Sequence, residues 1–268
     1  MKKFISVLNK ILLNLCVPLI TIIIILIVTW AVTYIITGSK DYYRAQFEEN
    51  NTASTLRWVY DDPNSGTRVE KRYDSDDLEI IMNSIVDYMM NRTDSMQVID
   101  KEGMKVFSNQ ALKHMADVKA IYTGFTIMSI ILMPILILLF VYFFIKKEEI
   151  APRAKKQVII TFSIIGFILL VLGVMLLIDS SFTFTEFHHI LFPKIEDFND
   201  AFFTRKSNYE EEYYINNLLL VQVLTEDIFI DAAWIIIGSI VASTAIWISL
   251  LLIYTKKINE KKSKINLA

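Results

Sequence analysis

The chain has 268 residues, of which 54% are apolar and 21% charged, with a formal net charge of −2 and a mean hydropathy of +0.43. So much apolar sequence beside so many charges excludes an ordinary soluble domain and requires the two to be segregated. Nothing in the charge pattern resembles a nucleic-acid-binding surface, and seven glycines with no phosphate-cradling loop argue against nucleotide binding.

Four windows lack Asp, Glu, Lys, Arg and His, beginning with residues 11–39. Each exceeds the roughly 20 residues a helix needs to cross about 30 Å of hydrocarbon. The first window outruns a signal-peptide core of about 7–15 residues and reads as an anchor. Cys16 lies in "LLNLCVPL", where the bulky Leu15 is wrong for lipoprotein cleavage, so this lone cysteine reads as a small buried apolar residue.

Residues 40–117 are too many for a bare connection and predict a structured cap. The stretch 41–67 reads as polar and irregular, with a turn at "DDPNSG" (61–66). Residues 75–90 predict a helix capped by Ser75, with Leu78, Ile81, Ile85 and Met89 on one face. A short strand pair is expected around 96–107, and Ser108 is a fair cap for a helix that runs through His114 into the second apolar window, 120–145.

A short basic loop, 146–156, leads to the third window, 157–178. The segment 179–231 that follows is aromatic: 10 of the 33 residues from Phe182 to Tyr214 are Phe or Tyr. An interfacial aromatic belt and a pocket for acyl chains explain this equally well. The fourth window is 232–255, and 256–268 is a basic tail.

Lysine and arginine fix the expected orientation. The loop 146–156 and the tail carry five basic residues each, whereas 40–117 has ten basic against fifteen acidic and 179–231 has three against eleven. The expected fold is therefore an α-helical membrane protein with four transmembrane helices, both termini cytoplasmic and an extracytoplasmic cap.

No ionisable side chain interrupts the apolar windows, which argues against a pump or secondary transporter. No Gly-x-Ser-x-Gly elbow or His-Glu-x-x-His pattern is present either. The candidates for chemistry are His114, His188 and His189, all in the segments expected outside. Taken one at a time, each is more simply an interfacial residue. His114 gains weight from Asp117, three residues on along a helix, where a carboxylate can hold the imidazole in one tautomer; the plainer alternative is an Asp117–Lys113 surface pair. With no serine or cysteine nucleophile in view, these residues favour a reaction in which the substrate brings its own nucleophile.

Three stretches carry a resemblance: "LKHMADVKAIY" (112–122), "FTFTEFHHILF" (182–192) and "NNLLLVQVLTEDIFIDAAWIIIGSI" (216–240). In that order around the expected helices, they resemble the bacterial lipoprotein intramolecular transacylases and their wider family of four-helix membrane proteins. Leu224-Thr225 departs from an expected Leu-Pro, and Gln110 stands where an acid is usual. The resemblance implies an acyltransferase of the bacterial cell membrane, acting at its outer face on diacylated lipoproteins. The reaction it implies moves the sn-2 acyl chain of the cysteine-linked glycerol to the α-amino group of the same cysteine. Carried over by motif, His114 and His188 are the catalytic pair, with Asp117 as orienter. His189 differs from the motif histidine by one position. The expected partners are the lipoprotein substrate and membrane lipids, with no cofactor and no metal. Another lipid acyltransferase of the same architecture, and a non-enzymatic envelope sensor, are the alternatives the residues leave open.

Overall fold

The computed structural model describes residues 2–52, 57–61, 68–99, 105–107, 109–178, 223–224 and 226–267. His188, His189 and Ser108, together with most of the aromatic segment, lie outside the described residues. Four long helices dominate: α1 (Lys2–Gly38), α4 (Asn109–Ile145), α5 (Lys147–Ile178) and α6 (Glu226–Leu267). Between α1 and α4 come α2 (Lys40–Glu49), strands β1 (Arg57–Asp61) and β2 (Arg68–Arg72), and α3 (Ser75–Met89). Each of the four apolar windows thus falls within one helix, except that Ser39, at the end of the first, follows α1. Among the described residues, three stretches, Ser6–Gly38, Ala111–Ile145 and Ile228–Ile265, are long and apolar enough to cross a membrane.

The chain divides into two compact units. The first comprises residues 1–31, 125–191 and 236–268. Its described core joins α1, α4, α5 and α6 through Cys16, Val17, Ile20, Leu139, Phe143, Ile150, Ala154 and Leu251. A lipid-facing bundle gains little from apolar burial alone, so helices are held by close packing and by polar side chains that have no water to bond. Here Trp247 Nε1 donates to Thr21 Oγ1 (3.0 Å), Trp30 Nε1 to Thr126 Oγ1 (3.1 Å) and Gln157 Nε2 to the Leu13 carbonyl (2.8 Å). Tyr142 donates to Asn9 Oδ1 (2.7 Å), and Arg153 Nη1 to Asn14 Oδ1 (3.0 Å). Large apolar side chains such as Ile137, Leu138, Phe167 and Leu170 are exposed. Apolar rows of this extent belong in hydrocarbon, and the chain is membrane-integral.

The second unit comprises residues 32–124 and 192–235. The stretch expected to be irregular, 41–67, instead holds α2 and β1. Ser39 caps α2 by accepting from the Tyr42 N–H (3.1 Å), and β1 pairs antiparallel with β2, Trp58 opposite Lys71 and Tyr60 opposite Val69. Polar composition hid both elements, because neither has a regular apolar face long enough to read.

Helix α3 buries Leu78, Ile81, Ile85 and Met89 as its spacing predicts. Its cap is Asp74 rather than Ser75. The Asp74 carboxylate accepts from the Asp77 N–H (2.9 Å) while Asp77 accepts from the Asp74 N–H (3.1 Å), a reciprocal box that also suits the helix dipole. Of the expected strand pair at 96–107, the described residues show a single bridge, Ile99 to Lys105, with the Val106 N–H donating to the Val98 carbonyl (2.9 Å). The apolar core of this unit runs from Phe47 and α3 through Met96 and Phe107 to Ala111, Met115 and Ile228.

Candidate active site

On α4 the buried residues Ala111 and Met115, with the partly buried Leu112, Val118 and Tyr122, form the face turned to the core of the second unit. Residues 100° apart place His114 at the edge of that face, since it precedes Val118 by one turn and follows Ala111 by three residues. Its side chain is half-buried and its Nδ1 is shut off from solvent. Lys113, Ala116 and Asp117 form the exposed side. The imidazole thus stands at the border between the buried face and the exposed side of α4.

Asp117 lies about 60° around the helix from His114, on the side away from the core. Its carboxylate makes no hydrogen bond or ion pair among the described residues, so neither the expected contact with His114 nor the plainer pair with Lys113 is formed. Lys119 is instead turned over the Tyr88 ring on α3, 4.0 Å from its centroid. His188 and His189 lie outside the described residues. Among the described residues, no three of His, Cys, Asp and Glu are grouped to hold a metal ion.

The start of α4 is fixed by a side chain that composition did not single out. Gln97 Nε2 donates to the Phe107 carbonyl (2.7 Å), and Gln97 Oε1 accepts from the Phe107 N–H (2.9 Å). Phe107 is wholly buried. The backbone two residues before α4 is therefore pinned, and with it the direction from which His114 is presented.

A second polar group was also missed. Tyr42, on α2, donates from its hydroxyl to the Ile228 carbonyl of α6 (2.7 Å), and the buried Gln46 donates from Nε2 to Asp231 Oδ2 (2.8 Å). Burial, and then the Asp231 charge, raise the Tyr42 hydroxyl above its ordinary pKa. The signal available in the sequence was a carboxylate at the very edge of an apolar window; what it bonds was not readable.

The sequence model of the family described as lipoprotein intramolecular transacylase Lit matches residues 17–197. No curated protein matches the chain. Among solved structures, the membrane-integral lipoprotein intramolecular transacylase Lit of Bacillus cereus is similar in three forms. A variant with one histidine changed to arginine has a TM-score of 0.57 at 16% identity, over 98% of this chain and 96% of that one. The variant with that histidine changed to alanine gives 0.57 at 14%, over 98% of each chain. A third structure gives 0.55 at 17%, over 97% of this chain and 99% of that one. At such identities the likeness is one of fold. The family match spans well over half of the sequence, and the chain belongs to the lipoprotein intramolecular transacylase family.

Proposed function

We propose that the chain is a four-span enzyme that moves the sn-2 acyl chain of a diacylglyceryl-cysteine lipoprotein to the α-amino group of the same cysteine. In this reading 11–39, 120–145, 157–178 and 232–255 cross the membrane, and 40–117 and 179–231 face outward. The loop 146–156 and the tail 256–268 remain with the N-terminus in the cytoplasm. Family membership supports the reaction, and one observation carries the site: His114 sits half-buried on α4 where that helix leaves the second unit's core and enters its apolar run.

An α-amino group has a pKa near 8 and is largely protonated at neutral pH. An ordinary imidazole, near 6.5, is a competent acceptor for its proton. His114 and His188 divide the work. One takes a proton from the ammonium, freeing the nitrogen lone pair to attack the ester carbonyl. The other protonates the sn-2 oxygen as the carbon–oxygen bond breaks. The amide forms, the attacking nitrogen loses its second proton, and the balance is one proton released. Because nucleophile and ester belong to one molecule, holding them face to face removes much of the entropic barrier, and no enzyme nucleophile is needed. Asp117 orients His114 once substrate closes the site; catalytic contacts are often long without substrate.

The product is an isomer of the substrate, so the test must locate the acyl chain. Purified protein is incubated with a diacylglyceryl-cysteine lipopeptide in detergent, and fragment-ion mass spectrometry reports acyl on nitrogen against acyl on glycerol. His114→Ala and His188→Ala should each lower the rate by about 100-fold or more. A variant that keeps the wild-type rate removes that histidine from the mechanism.

A further inference from the structure

Asp231 lies near the start of α6, one residue before the uncharged run 232–255. A half-buried carboxylate at that border gives up part of its water, which is costly unless a polar partner or a ligand replaces it. Asp231 is half-buried, and no cation pairs with it among the described residues. One oxygen, Oδ2, accepts from Gln46 Nε2 (2.8 Å). Gln46 is itself 7% exposed and held further by Asn50 Nδ2, which donates to its Oε1 (3.4 Å). The neighbouring Tyr42 is anchored to the Ile228 carbonyl one turn earlier on α6 (2.7 Å). A carboxylate has room for about four hydrogen bonds, and a single neutral donor leaves both its charge and most of that capacity unused.

This group shares the second unit with His114. Ile228, Met115 (next to His114) and Ala111 belong to one buried cluster, against which Tyr42 packs. The unit thus carries, on one apolar core, a proton-transfer imidazole and a fixed, unneutralised carboxylate. The substrate of the proposed reaction offers the complementary group, an α-ammonium that must be held before it can be deprotonated. We propose that Asp231 binds this ammonium, with Gln46 and Tyr42 as positioning residues that keep the carboxylate and the start of α6 in place. The inference rests on the transacylase reading and adds to it the group that recognises the nucleophile. A carboxylate with one hydrogen-bonded edge and one open edge suits a compact cation with several donors.

The test uses two probes that cannot react: a dialkylglyceryl-cysteine lipopeptide with ether links in place of esters, and its N-acetyl analogue, which lacks the cation. Wild-type protein in detergent should bind the free-amine probe roughly tenfold more tightly, the size of one charge-assisted hydrogen bond. Asp231→Asn, which keeps an oxygen for Gln46, should bind both probes alike, and Asp231→Glu should retain a preference for the amine. An Asp231→Asn protein that still prefers the amine overturns the proposal. Equal binding by the wild type overturns it as well, even if the variants do not fold. Absence of acyl transfer by wild-type protein on the ester substrate would instead sink the transacylase reading, and each result can occur without the other.

Discussion

Gln97 grips the backbone of Phe107 with both ends of its amide, donating to the carbonyl at 2.7 Å and accepting from the N–H at 2.9 Å. The two backbone groups are buried with the Phe107 ring, so loss of the amide leaves a donor and an acceptor without partners. Gln97→Ala is expected to destabilise the protein by about 2 kcal/mol. Thermal unfolding in detergent should show a lower Tm, and acyl transfer should fall because α4 is less firmly placed. Gln97→Glu, which keeps the acceptor but not the donor, should lie between the two.

Asp117 is exposed and bonds nothing among the described residues, so replacing it costs little stability. If it orients His114 during turnover, Asp117→Asn should reduce acyl transfer by about tenfold or more with an unchanged Tm. An unchanged rate would leave His114 as the unaided proton carrier on this helix.

Burial, with the Tyr42 ring beside it, pushes the Tyr43 hydroxyl from 10.0 up to about 12. The folded protein then holds a proton that the unfolded chain releases above pH 10. The stability this contributes is full below pH 10 and is lost as pH rises toward 12. The Tm of the wild type should therefore fall across that window, and Tyr43→Phe should flatten that part of the fall.

In the first unit, Trp247 Nε1 donates to Thr21 Oγ1 at 3.0 Å, and Thr21 Oγ1 in turn donates to the Val17 carbonyl at 2.9 Å. A double-mutant cycle with Trp247→Phe and Thr21→Val should yield a coupling of about 0.6–1.5 kcal/mol, the range for hydrogen bonds between membrane helices. Additive effects on stability would show that packing alone, including the Phe140–Trp247 edge contact at 5.3 Å, joins α6 to its neighbours.

What the sequence determined by itself is what one-dimensional patterns encode. Long uncharged runs form helices, as in α1, α4, α5 and α6, and in a run that crosses hydrocarbon a helix is what satisfies backbone groups that have no water to bond. The apolar face of α3 was equally legible, since Leu78, Ile81, Ile85 and Met89 recur at the helical period. The place of His114 on α4, with Asp117 three residues on and just before such a run, was legible in the same way. The elements of 41–67 were not, because α2 buries only Gln46 and Phe47 and β1 is too short to show a period in the sequence. Tertiary structure alone decided which polar groups meet. Gln97 and Phe107 are ten residues apart, and Gln46 and Asp231 are 185 apart. A hydrogen bond depends on two backbones arriving at one point, and no local pattern in either partner records where the other will be.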